Sequence, residues 1–167
     1  MTDPATSIPT RLMGARAAGI VNRHQNSYLR AQPIRVDPSG RWVIFGHESA
    51  TTCEVCERTD GLWEVLIGGE RENPSLDFTT NDRHAVDVFV ALELGLSWMA
   101  DKTRRPQIQP GVILNVSEEN RTQCLEWPGG WAEGPTRSSI PEARGHALPQ
   151  MAHYITMNVD EILARNN

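Results

Sequence analysis

The stretch from Thr51 to Met99 constrains the fold most, because strand, turn and helix patterns follow one another there with little break. Thr51 to Arg58 and Leu62 to Ile67 read as strands flanking Asp60-Gly61. Small residues of that kind tolerate the positive φ that a tight hairpin requires. Leu76-Asp77-Phe78-Thr79 alternates apolar and polar side chains, which predicts a third strand. Asn81 or Asp82 can then cap one long helix carrying Val86, Phe89, Val90, Leu92, Leu96 and Trp98. A hairpin and an amphipathic helix each leave an apolar face that must be buried, so most of the core is expected here. None of these residues forms a catalytic motif.

The flanking segments extend the same architecture. Residues 1 to 8 are small and polar and predict a frayed tail. Pro9 suits a first helical turn, and Leu12, Met13, Arg16, Ala17 and Ile20 predict a short helix over residues 9 to 18, with Gly19 as its left-handed cap. From Ile20 to His47, short apolar runs (Ile20-Val21, Tyr28-Leu29, Ile34 to Val36, Trp42 to Phe45) are separated by turn formers, Asp37-Pro-Ser-Gly40 being the clearest. They read as an antiparallel meander. Gly68-Gly69 to Pro74 reads as a connection; it lacks the glycine spacing of a phosphate cradle and opens no helix.

Beyond the helix, Asp101 to Arg105 is a charged exit and Pro106 and Pro110 bound a non-helical segment. Val112 to Val116 and Thr122 to Trp127 predict two strands, and Pro128-Gly-Gly130 a break between Trp127 and Trp131. Ser139 to Glu142 and Asn158 to Glu161 both have capping-box spacing, and Pro149 separates the helical turns between them. The expected fold is a single α+β domain over residues 1–167, a mainly antiparallel sheet of about six strands with one long helix packed on it and shorter N- and C-terminal helices.

Composition narrows the function classes. The net charge is −5, which argues against a nucleic-acid partner, since phosphate binding needs a clustered positive face. There is no apolar run of membrane-spanning length and no secretory signal pattern, so a cytoplasmic protein is expected. The cysteines Cys53, Cys56 and Cys124 are then expected as reduced thiols. Lys102 is the only lysine, an arginine-rich usage that fits a GC-rich bacterial genome.

The residues with chemistry to offer are few. His47, Cys53 and Cys56 resemble half of a zinc site. However, an odd separation within a strand turns Cys53 and Cys56 to opposite faces. The histidines His24, His47, His84, His146 and His153 are scattered and pair with no nucleophile motif. His84 is expected neutral and exposed at the helix start, and His153-Tyr154 to pack or cap. No cofactor is implied. Trp127-Pro-Gly-Gly-Trp131, with Arg137 nearby, combines residue types enriched at binding hot spots. It can equally place Trp127 inward at a strand end with Trp131 folded over the sheet. The polar segment Arg104 to Gln109 is a second candidate contact surface, or else a solvated linker.

Several segments together resemble a known family. Ala17-Ala-Gly-Ile20, Trp63 to Ile67, Leu76-Asp-Phe78, Asp87 to Gly95, Arg104-Arg-Pro106, Ala152 to Ile155 and Asp160 to Leu163 are similar in order and texture to bacterial immunity proteins that neutralise toxins of the tuberculosis necrotizing toxin type, which are NAD glycohydrolases. The resemblance implies a non-catalytic cytoplasmic protein that binds a cognate toxin domain and occludes its NAD pocket. The residues expected at such an interface are Arg104, Gln107, Gln109, Trp127, Gly129, Trp131 and Arg137, on loops 104–110 and 127–137. Two other readings stand beside it: a chaperone or adaptor for an actinobacterial secretion substrate, and a small metal-binding domain or enzyme using His47, Cys53 and Cys56.

Overall fold

The computed structural model describes residues 7–27, 33–46, 51–69, 73–96, 105–136 and 147–165. Within them lies one antiparallel sheet of eight strands: β1 (Arg35–Val36), β2 (Trp42–Gly46), β3 (Thr51–Glu57), β4 (Trp63–Gly69), β5 (Ser75–Thr80), β6 (Ile113–Ser117), β7 (Thr122–Trp127) and β8 (Gly130–Pro135). The order across the sheet is β1-β2-β3-β4-β5-β8-β7-β6. The first five strands run as a meander; the chain then crosses over and returns as a second meander, entering at the far edge and ending beside β5. Four α-helices are described: α1 (Ala15–Ser27), α2 (Arg83–Val90), α3 (Ala147–Met151) and α4 (Val159–Arg165).

Turn chemistry sets the first meander. Between β1 and β2 the Asp37 carboxylate accepts hydrogen bonds from the backbone N–H of Ser39, Arg41 and Trp42. Gly40 takes φ +68° there. Arg58 N–H bonds Leu62 O, leaving Thr59-Asp60-Gly61 as the loop, and Gly61 supplies φ +82°. A three-residue loop ending in a left-handed residue is a common hairpin closure.

Alternation along these strands sorts the two faces. Val43, Phe45, Cys53, Val55, Val65, Ile67 and Phe78 point to one side and join the helices in a single core. Phe78 meets Phe89 of α2 edge to face, with ring centroids 5.7 Å apart. The four helices contact one another and form one layer on that side. The alternate residues, among them Trp42, Glu54, Cys56, Glu64, Leu66 and Leu76, face the other way.

Four expectations are corrected. The sheet has eight strands and not six: Gly130–Pro135, expected to lie beyond a break, pairs with both β7 and β5. The long helix is not seen: α2 ends at Val90 and continues only as a π-helical turn, Ala91–Gly95, before Leu96 becomes extended (φ −90°, ψ 140°). The stop falls where Gly95 meets α1 and α4, since a Cβ there would lie 2.8 Å from Leu163 Cδ2 and 3.3 Å from Ile20 Cδ1. Trp98 lies outside the described residues.

The N-terminal helix is displaced as well. It runs from Ala15 to Ser27 and takes in Gly19 and Ile20-Val21, while Pro9 to Leu12 is a single turn closed by Leu12 N–H on Pro9 O. Ile20 and Val21 are buried in the core, and that packing outweighs the weak helix propensity of Gly19. Pro128-Gly129 does not break the sheet but closes a hairpin, Trp127 pairing with Gly130 and Gly129 taking φ +106°. In the C-terminal part, α3 contains Pro149 in its first turn, where a missing N–H does no harm. The second capping box forms as spaced: Asn158 N–H donates to Glu161 Oε2 at 2.8 Å and Glu161 N–H to Asn158 Oδ1 at 2.9 Å. The first box lies outside the described residues.

Candidate functional site

The strongest candidate is the corner of the sheet where the β7–β8 hairpin meets residues 105–111. It is built from α2 outward. Asp82 caps α2 through Oδ1, which accepts from His84 N–H at 2.9 Å. Its Oδ2 accepts from the Trp127 indole at 3.3 Å. The neighbouring Asn81 side chain accepts from Trp131 N–H at 2.8 Å, and Thr80 Oγ1 donates to Trp131 O at 2.6 Å. One capping segment therefore holds both strands of the hairpin.

The hairpin then separates its tryptophans. Trp127 points into the core and is only 8% exposed. Its ring occupies the space above Gly130, where a Cβ would come within 2.6 Å of Trp127 Cζ2. Trp131 pairs in register with Glu126 on the opposite face and is half-buried. Of the two arrangements open to this motif from sequence, the inward Trp127 with Trp131 over the sheet is the one observed, so Trp127 acts as an anchor. Gly129 is exposed at the tip of the turn.

Residues 105–111 are fixed at two points. Pro106 is buried, and its carbonyl lies 2.7 Å from Nδ1 of His153. Val112 N–H donates to Gln109 O, closing the turn that brings Gly111 against Pro128; a Cβ on Gly111 would lie 3.3 Å from Pro128 Cγ. Between these points Gln107, Ile108 and Gln109 are exposed, with Gln109 Nε2 donating to Gln107 O at 3.2 Å. The fold thus brings Gln109 and Gly129 to the same corner, with Gln107 on the segment leading to it and Trp131 on the strand leaving it. Arg104 and Arg137 lie outside the described residues.

The residues with metal or acid–base potential are placed elsewhere. Cys53 is buried in the core, where burial pushes its thiol well above the ordinary value. Cys56 faces the other side of the sheet, so the two cannot ligate one ion. His47 lies outside the described residues, among which no cluster of three histidine, cysteine or acidic side chains could hold a metal. His84 is half-buried, contrary to the exposed position expected, because its Nε2 reaches Ile155 O at 2.9 Å. His153 ties two segments together and Tyr154 is buried, as packing residues are.

No family model matches the chain, and no curated protein matches it either. Among solved structures it is similar to Rv3902c from M. tuberculosis, with a TM-score of 0.60 over 97% of this chain and 91% of that one, at 8% sequence identity. At that identity the likeness is one of fold, and fold alone does not carry function. No helix among the described residues is long and apolar enough to cross a membrane.

Proposed function

We propose that this chain is an immunity protein: it binds a cognate toxin domain of the NAD glycohydrolase class and occludes its active site, with no catalysis or cofactor of its own, in the cytoplasm of the producing cell. The observation that carries this reading is the pinned corner formed by residues 105–111 and the Pro128-Gly129 turn, held through Pro106, Trp127 and Gly111 while Gln107, Ile108 and Gln109 stay exposed. A protrusion ordered before binding loses little entropy on entering a pocket, which an inhibitor of an enzyme cleft requires. The family resemblance of the sequence and the overall acidity, suited to a basic toxin face, support the same reading.

The test uses any toxin domain encoded beside this gene. Binding by calorimetry and suppression of its NAD hydrolysis are expected. Gln107→Ala and Trp131→Ala should each weaken binding by roughly tenfold or more, with unchanged circular dichroism. A purified chain that neither binds that domain nor protects cells expressing it removes the proposal.

One observation favours the adaptor reading instead. β6 is an edge strand on which Ile113 and Val116 are each 51% exposed, a surface suited to adding a client strand. Capture of an extended export-substrate peptide, lost on Val116→Pro, would decide for it.

A further inference from the structure

A shallow groove of about 430 Å³ crosses the face of the sheet opposite the helices, over the junction of β5, β8 and β7. Leu76, Trp131 and Pro135 give it an apolar lining, Thr79 and Thr122 complete the walls, and Glu133 is its charged residue. The floor is tight because β8 closes directly on β5: a Cβ on Gly134 would lie 2.1 Å from the Asp77 carbonyl oxygen.

The charges around Trp131 follow from the strand register. Glu126 is its direct cross-strand partner, and Glu133 lies two residues along β8 on the same face. Both carboxylates are exposed, and among the described residues neither forms an ion pair. Cys124, which pairs with Glu133 in register and has its Sγ 4.0 Å from Glu126 Oε1, offers no positive charge to offset them, and its thiol is raised by burial and by both carboxylates. An apolar slot, an indole face and unpaired carboxylates complement one kind of side chain, a long stem ending in a cation. Arginine suits the site better than lysine, because its planar fork can stack on an indole and bond a carboxylate in the same pose.

We propose that this groove receives an arginine side chain of a protein partner, its stem on Leu76 and Pro135 and its guanidinium between Trp131 and Glu133. Only the identity of the protein bearing that arginine rests on the immunity reading. The experiment titrates the isotopically labelled full chain with N-acetyl-arginine amide and follows the Trp131 indole N–H and the Glu133 amide by NMR. The controls are the neutral isostere N-acetyl-citrulline amide and the oppositely charged N-acetyl-glutamate amide.

Saturable shifts at both positions are expected with the arginine probe, at least about threefold weaker with citrulline, with Glu133→Gln, or at high salt. Trp131→Ala should abolish the Glu133 shift. Shifts equal for arginine and citrulline overturn the proposal. So do shifts indifferent to Glu133→Gln, no saturable shift, or a preference for the glutamate probe, which Arg121 beside Thr122 would attract. The assay contains no toxin, so its failure leaves the immunity reading standing. An arginine response in a chain that binds no toxin removes the immunity reading and keeps this one.

Discussion

Asp87 shows how single residues tie the helices of this molecule to one another. It lies on α2, yet its Oδ1 accepts the Gly14 N–H at 2.7 Å, just before α1 begins, while Arg83 lies 3.9 Å away. Glycine is needed opposite it, since a Cβ at position 14 would sit 2.8 Å from Asp87 Oδ2. Burial pushes the Asp87 carboxyl above its ordinary 3.8, against the opposing pull of the Gly14 N–H and Arg83. A raised pKa means that the folded chain holds the proton more tightly than the unfolded chain does. The contribution of this group is therefore fully present below the unfolded value and lost as pH rises through the folded one. Asp87→Asn keeps an acceptor for Gly14 and removes the titration. The stability of the wild type relative to that variant should fall as pH rises from below 3.8 through the raised folded value, read from urea midpoints. Parallel pH profiles for the two proteins would show that Asp87 titrates as it does in the unfolded chain.

At the scale of elements, the junction of β5, α2 and the β7–β8 hairpin controls the candidate corner. Asp82 caps the helix with one oxygen and holds Trp127 with the other. Asp82→Ala should cost roughly 2 kcal/mol in urea unfolding, about half for the lost cap and half for the stranded indole N–H. Asp82→Asn, which can keep the cap, should cost less; a loss under about 0.5 kcal/mol for the alanine variant would deny Asp82 this role. The local devices here were legible in the residues themselves: the Asp60-Gly61 loop, the Asp37 to Gly40 turn and the Asn158 to Glu161 box are short-range hydrogen-bonding patterns. β8 was not legible, because Pro128-Gly-Gly130 read as a break and Gly134 carried no strand signal. Their bareness serves contacts distant in the chain, with the Trp127 ring and the Asp77 carbonyl. The early end of the main helix was hidden for the same reason, its apolar pattern running on past the crossing with α1 and α4.

At the scale of the whole molecule, one sheet spans two meanders, and among the described residues only one of its faces carries a helix layer. β3 and β4 lie among the inner strands, with Val55 and Val65 fully buried, whereas β6 is an outer edge with two exposed apolar side chains. Amide exchange should therefore be slowest in β3 and β4, approaching the global opening free energy, and faster by orders of magnitude in β6. Equal protection of β6 and β3 by hydrogen-exchange mass spectrometry would mean that the edge is covered by a bound copy or ligand.

The residues alone settle the α+β class, the strand runs between Ile34 and Phe78 with the turns at Asp37–Gly40 and Asp60-Gly61 (though not Ile20-Val21, which they also put in that meander), the inward and outward sorting of Cys53 and Cys56, and the final capped helix. Each of these depends on side-chain period or on bonds between residues close in the chain. That the second meander joins the sheet beside β5, that Trp127 is an anchor while Trp131 faces outward, and that Gln109 and Gly129 share a corner emerges from the fold alone. Those outcomes depend on which backbone segments approach closely enough to need a glycine between them, and chain separation conceals that approach until the fold brings them together.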